Sequence, residues 1–436
     1  MAGPRSPWGT TWLLLVFMLV NFADKAVLGL AGPDLMRDLD ISRQQFGTAQ
    51  SAFFALFSLA ALGVSYLTRT VRTTVLLLAM ALLWSAAQLP MLWAGAGFAT
   101  LVATRLLLGA AEGPAAPVAV HHVYGWFAQR DRTLPTAILM AGAAAGVAVA
   151  APTLSLVIEW WGWRWAFGAV GLIGLVWAAV WWRYGTEGPL APEAGTAAED
   201  GVGGADGTQP ELPLRRILAS GTFLSACVAT FAAYWLMSAK LTWAPDYLET
   251  VMGWSGRQAG LAVGAVALTN GAALLLHGLL AQRSATRDGR AAPRVRQGAG
   301  AGLLMLGSAA AVALFALSDT PWLTTVLMFG PLSLAMVMMT VGATACARIT
   351  PPSQRGIVLG ALTAVFALGG VLAPAVLGRI VDAAPSADTG YRNGWLLTAA
   401  LLAVGGALAT AFLRPQRDAV RLGVPEHDLG RAPVAH

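Results

Sequence analysis

The segment ISRQQFG, residues 41–47, returns as WSGRQAG at residues 254–260, and both read S-x-x-Q-x-G. Each stands immediately before a long apolar run. A serine in that place suits a helix N-cap, where its oxygen accepts a bond from an orphan amide of the first turn. The two copies flank a polar interruption, GTEGPLAPEAGTAAEDGVGGADGTQPELPLRR, Gly185 to Arg216. Glycine, proline, alanine and acids with few large apolar residues make a flexible linker. A motif recurring at equivalent places around such a linker marks an internal repeat.

Outward from the repeat, the chain is apolar nearly throughout. Of 436 residues, 57% are hydrophobic and 11% charged, against roughly 45–50% and 25% in an average soluble protein. The excess lies in runs of about 20 residues, the length that crosses a ~30 Å hydrocarbon core as helix. Twelve such runs cover about 11–31, 47–67, 74–94, 98–120, 136–158, 165–184, 221–244, 258–281, 298–317, 322–347, 357–381 and 395–413. The expected fold is an all-α membrane protein of twelve transmembrane helices in two pseudo-symmetric six-helix bundles. The bundles span 1–184 and 219–416, with a cytoplasmic linker at 185–218 and a cytoplasmic tail at 417–436. Parallel six-helix repeats imply rocking halves with a binding site between them at mid-membrane.

The first run carries Asn21, Asp24 and Lys25, which a cleaved signal peptide would not, so it is kept as a helix. The formal charge of +6 is explained by topology. With the N-terminus cytoplasmic, nineteen connection arginines fall inside and six (Arg37, Arg43, Arg164, Arg257, Arg379, Arg392) outside. That asymmetry follows the positive-inside rule and puts both termini in the cytoplasm of a multi-pass cell-membrane protein. No nucleic-acid partner is needed. Cys227 and Cys346 both sit in or beside apolar runs without metal-type spacing, and no HExxH, P-loop, CxxC or dinucleotide fingerprint is present. The sequence therefore predicts no enzyme, no cofactor and no metal, and a monomer in lipid.

Four charges stand out inside the runs: Asp24, Lys25, Arg105 and Glu112. A charge at a helix centre costs about 2.5–3.5 kcal/mol on insertion scales, so such groups face the protein interior and take partners. In RLLLGAAEGPAAP, Arg105 to Pro117, the arginine and glutamate are seven residues apart. Seven residues make about 700° of rotation and a rise near 10 Å, which gives one face but two separate stations. Depth along antiparallel helices matches Asp24 with Arg105 as a direct pair. Glu112 has no obvious local cation, and a desolvated midplane carboxyl suits proton loading. A static ion cluster gluing two helices is the competing reading.

Lys240 either snorkels to the interface or adds a cation to the cavity. Asn21 and Asn270 are polar candidates that could equally hydrogen-bond a neighbouring helix. His121 and His122 end the fourth run as a polar helix terminus or as proton carriers. Trp160, Trp161, Trp163 and Trp165 read as an interfacial aromatic belt.

Five motifs, NFADKAVLGLAGP in the first run, RLLLGAAEGPAAP leading to Trp126-Phe127, GWRWAF at 162–167, LTWAPDYL at 241–248 and GGVLAPAVLGRIVD at 369–382, occur in an order that resembles the anion:cation symporter family of the major facilitator superfamily. The resemblance covers about residues 10–415. It implies proton coupling by Asp24 and Glu112 and contact of Lys25 and Arg105 with an organic anion. The chain departs from the family at Lys25, where arginine is usual, and a lysine lacks the bidentate fork. The gating loop keeps Arg69 and Arg72, and its counterpart keeps Arg283, but the acid that usually precedes the arginine is missing. Polar cavity positions of sugar-acid carriers are replaced by Phe57, Ala61, Ala119, Val120, Met140 and the stretch 364–368.

The resulting expectation is a secondary transporter that takes up a weakly hydroxylated or aromatic carboxylate with protons. An efflux carrier for apolar compounds and a non-transporting membrane sensor are the rivals.

Overall fold

The computed structural model describes residues 6–191, 212–287, 296–318 and 320–424. Among them every regular element is helical. In chain order these are α1 (Pro7–Asp38), α2 (Arg43–Thr70), α3 (Thr73–Gln88), α4 (Phe98–Glu112), α5 (Ala115–Tyr124), α6 (Thr133–Trp161), α7 (Trp163–Tyr184) and α8 (Leu214–Leu218). They continue as α9 (Gly221–Thr250), α10 (Gly256–Arg287), α11 (Arg296–Leu317), α12 (Pro321–Phe329), α13 (Val337–Arg348), α14 (Arg355–Asp382), α15 (Ala387–Phe412) and α16 (Pro415–Leu422).

Ten stretches among the described residues are helical, long and apolar enough to cross a membrane. The run at 47–67 lies in α2, where several side chains are outside the description. The run at 98–120, expected as one helix, is broken between α4 and α5. Pro114 follows Gly113 there, and a proline removes an amide donor and crowds the carbonyl one turn back. The run at 322–347 is likewise interrupted, by Gly330 and the 3-10 segment Pro331–Met336.

Both serine motifs form the expected caps, and each glutamine completes a reciprocal box. The Ser42 amide donates to Gln45 Oε1 at 2.9 Å and the Gln45 amide to Ser42 Oγ at 3.2 Å. The same two bonds at Ser255 and Gln258 measure 2.9 and 3.3 Å.

The chain packs as two compact units, one of Met1–Gly204, Ala239–Leu268 and Ala373–Ala387, the other of Ala205–Ser238, Thr269–Leu372 and Asp388–His436. In the first unit α1 is clasped by α6 and α7. Gly142 and Gly146 of α6 lie against α1 at Leu15 to Phe22, while Trp177 Nε1 donates to the Leu13 carbonyl at 2.8 Å. Gly109 of α4 and its successor Gly113 press on the carbonyls of Phe53 and Phe57 in α2, where a methyl group would overlap backbone. Small residues at such places let helix backbones approach in the absence of a hydrophobic drive between them. In the second unit Trp235 Nε1 donates to Thr398 Oγ1 at 3.1 Å and Ser238 Oγ to the Gly370 carbonyl at 3.0 Å. Asp418 of α16 caps α9 by accepting from the Thr222 amide at 2.9 Å and hydroxyl at 2.7 Å.

Candidate functional site

Asp24, Lys25, Arg105 and Glu112 fall in the first unit, on α1 and α4, and all are buried. Asp24 is 0% exposed, Arg105 and Glu112 1% and Lys25 9%. On α1, Asn21, Asp24 and Lys25 occupy positions i, i+3 and i+4 and so share one face. On α4 the seven-residue spacing puts Arg105 and Glu112 on one face, as the helical repeat requires.

The pairing differs from the expectation in two respects. Asp24 and Arg105 do not form a direct ion pair. Between them stands Gln88, the last residue of α3, which donates from Nε2 to Asp24 Oδ1 at 3.0 Å and accepts from Arg105 Nη2 at 2.6 Å. Glu112 does have a cation, since Lys25 Nζ lies 2.7 Å from its Oε2. Glu112, expected to lack an obvious local cation, therefore has one on α1. Matching depth sets the level of each charge along its helix, but helix rotation decides which of two neighbours a side chain meets.

The lysine is held further by Asn21, accepting at 2.6 Å through Oδ1 and at 3.2 Å through its carbonyl. The Phe22 ring centroid is 4.4 Å away and that of Phe57 5.4 Å. Arg105 lies over the Phe167 ring at 5.2 Å, a cation–π contact that strengthens with desolvation. Among the described residues, Asp24 Oδ2, Arg105 Nε, Asn21 Nδ2 and Glu112 Oε1 of this group have no hydrogen-bond partner, and Glu112 Oε2 has only the ion pair with Lys25. A buried polar atom left unmatched is costly, so the carboxylate oxygens are open to a proton or a donor and the two N–H groups to an acceptor on a ligand. The arrangement can hold an anion on a guanidinium and move protons on two carboxyls.

Of the remaining candidates, Lys240 on α9 is buried at 8% exposure and does not snorkel. Asn270 belongs to the second unit and is half-buried. Arg72 is exposed at the start of α3, whereas the side chains of Arg69 and Arg283 lie outside the described residues. Trp163 is buried and donates to Asp38 at 3.2 Å, while Trp160, Trp161 and Trp165 are exposed as a belt requires. Among the described residues no cluster of His, Cys, Asp or Glu could hold a metal.

His122 is not a solvated helix end. It is 2% exposed, its Nδ1 is 2.7 Å from Thr73 Oγ1, and its ring packs edge-on against Trp181. The same hydroxyl donates to Glu187 Oε2 at 2.8 Å, and Glu187 Oε1 accepts from the Thr74 amide at 2.7 Å and hydroxyl at 2.8 Å. Glu187 thus caps α3 from beyond α7. Burial works against its charge, but these bonds and His122 outweigh it and hold the carboxyl below the usual range.

The sequence reading also missed Gln88 and a cluster at the start of α2. Arg43 Nε donates to buried Asp246 Oδ2 at 2.7 Å, and Asp382 accepts from the Gln44 amide at 2.7 Å. Arg43, Asp246 and Asp382, with Arg37 and Glu249, line a pocket of about 480 Å³. The only signal was polar residues at the margins of apolar runs.

Residues 13–341 match the model of the Major Facilitator Superfamily. The chain belongs to that superfamily. It is a multi-pass membrane transporter and not an enzyme. Among its superfamily relatives, the hexuronate transporter of Bacillus subtilis is 28% identical over 256 residues, 56% of this chain, and the chain spans 57% of that protein's length. The probable galactarate/D-glucarate transporter GudP of the same species is 24% identical over 427 residues, covering 93% and 91% of the two chains. The probable sulfoacetate transporter SauU of Cupriavidus necator is 23% identical over 414 residues, covering 92% and 93%. The fold is similar to that of a bacterial homolog of the human lysosomal transporter Spinster, at a TM-score of 0.75, 17% identity and 96% and 99% coverage. It also matches a D-xylose-proton symporter, at a TM-score of 0.70, 15% identity and 92% and 97% coverage.

Proposed function

We propose that this superfamily member is a proton-coupled symporter of an organic anion. The observation that carries the reading is the pair of carboxyls and the pair of cations buried together on α1 and α4, with Asp24 Oδ2 and Arg105 Nε unmatched. A buried group of four charges is expensive, and a transport cycle gives each a use. Arg105 meets the carboxylate of the substrate, Asp24 takes a proton at Oδ2, and Glu112 exchanges Lys25 for a proton. Lys25, released, adds its charge to the anion site.

In this reading α2 and the broken α4–α5 pair join the ten apolar stretches to make twelve spans in two six-helix bundles, 1–184 and 219–416. Both termini lie in the cytoplasm and the chain works as a monomer. Lys240, Asn21 and Asn270 contribute polar contacts to the substrate path, and Arg69, Arg72 and Arg283 serve the cytoplasmic gate. The named relatives carry hexuronate, galactarate or glucarate, and sulfoacetate, which supports an acid as substrate. Phe57, Ala119, Val120 and Met140 offer no hydrogen bonds from their side chains, and unmatched hydroxyls are costly to desolvate. The substrate is therefore a carboxylate with few hydroxyls.

The test is uptake of a panel of labelled carboxylates into proteoliposomes under an imposed inward proton gradient. Acid outside should stimulate accumulation of at least one acid, and Glu112→Gln should abolish the stimulation while leaving exchange. Uptake indifferent to the gradient would remove proton coupling from the reading.

A further inference from the structure

Gln88 is wholly buried at the end of α3 and uses its amide at both ends, toward Asp24 and toward Arg105. The two ends are chemically different. The NH2 can only donate and the carbonyl can only accept. One orientation alone serves a carboxylate and a guanidinium together, and it is the one present.

Two consequences follow from that directionality. A proton placed on Asp24 Oδ1 would face an NH2 that cannot accept it, so protonation is directed to Oδ2, the oxygen without a partner. Oδ1 meanwhile keeps its bond and Asp24 does not swing. The neutral amide also stands where a direct fork between Asp24 and Arg105 would otherwise form. Such a bidentate pair is the strong geometry for these two groups, and it would use the guanidinium face an anion needs. The other charged groups around Asp24 are Lys25 on its own helix and Glu112 on α4, and these two are already engaged with each other.

We infer that Gln88 is a positioning residue that keeps Asp24 and Arg105 from neutralising each other, leaving the carboxyl open to a proton and the guanidinium open to the substrate. This rests on the symport reading for what the two groups do, although the spacer role itself can be tested without substrate.

The experiment uses full-length wild type, Gln88→Leu and Gln88→Glu in lipid. In the first arm, the infrared band of the protonated carboxyl that Asp24→Asn removes is followed against pH. Gln88→Leu lets the direct pair form, whereas Gln88→Glu sets a second carboxyl beside Asp24. The pH at which the band appears should move by about one unit or more, in opposite senses in the two variants. Damage to packing would move both alike. In the second arm, exchange of a transported carboxylate is measured at equal pH on both sides. Gln88→Leu should lose about tenfold or more in apparent affinity. Gln88→Glu should recover as pH falls, because a neutral carboxyl offers the donor and acceptor that the amide did.

An unshifted band in Gln88→Glu, or in a folded Gln88→Leu, overturns the inference whatever the protein carries. If Gln88→Leu does not fold, the band of Gln88→Glu decides alone. If wild type exchanges no acid, the symport reading fails and the infrared arm still decides the role of Gln88.

Discussion

Lys25 Nζ and Glu112 Oε2 are 2.7 Å apart in a site where the lysine is 9% exposed and the glutamate side chain not at all. Removing one member of a buried pair leaves an uncompensated charge, which costs about 3–5 kcal/mol, whereas replacing both by apolar groups is often neutral. Lys25→Met should therefore lower the melting temperature of the purified protein sharply. Lys25→Met with Glu112→Leu should recover most of it and still fail to couple uptake to protons. A double variant as unstable as the single one would show that the pair is not independent of its surroundings.

Glu187 ties the segment after α7 to the start of α3, and its carboxyl is held below the usual range. A carboxyl with a depressed native pKa stabilises above its unfolded value and loses that contribution as pH falls through the folded one. Glu187→Ala should cost about 0.5–2 kcal/mol near neutral pH, as loss of a cap does. The gap from wild type should close as the pH is lowered into the range where the native carboxyl protonates. Thermal unfolding across a pH series measures both.

Gly109 has no room for a side chain, since a methyl would overlap the Phe53 carbonyl, while nothing lies near a methyl at Gly307 in α11. Gly109→Ala should force α4 off α2 and destabilise by about 1–3 kcal/mol. Gly307→Ala should be neutral or stabilise by up to about 1 kcal/mol through helix propensity. Melting temperatures of the two variants in one detergent make the comparison.

Arg43 and Asp246 lie 203 residues apart in sequence and 2.7 Å apart in space. A double-mutant cycle on stability with Arg43→Gln and Asp246→Asn should give a coupling of about 0.5–3 kcal/mol. High salt should reduce it little, because Asp246 is 2% exposed and buried pairs are weakly screened. Strict additivity of the two changes would show the contact to be energetically idle.

The helical class, the apolar stretches, the serine–glutamine boxes at Ser42 and Ser255, and which charges are buried on α1 and α4 were all legible in the order of the amino acids. Each depends on chemistry local to the chain: the cost of an exposed backbone in lipid, a cap three residues from its partner, and the price in free energy of an isolated charge in an apolar run. Proline and glycine at 113–114 were likewise visible in the sequence, though the break they cause was not anticipated. Partnerships were set by how the helices pack. Whether Lys25 meets Glu112 or a substrate, and whether Asp24 meets Arg105 or Gln88, turns on fractions of a helical turn. A rotation of about 100° per residue carries a side chain from one neighbour to another. A single glutamine 64 residues from Asp24 and 17 from Arg105 leaves no periodic trace in the sequence. Glu187 and Asp246, beside or beyond their runs, become visible as a cap and an ion pair only when the helices they serve are brought beside them.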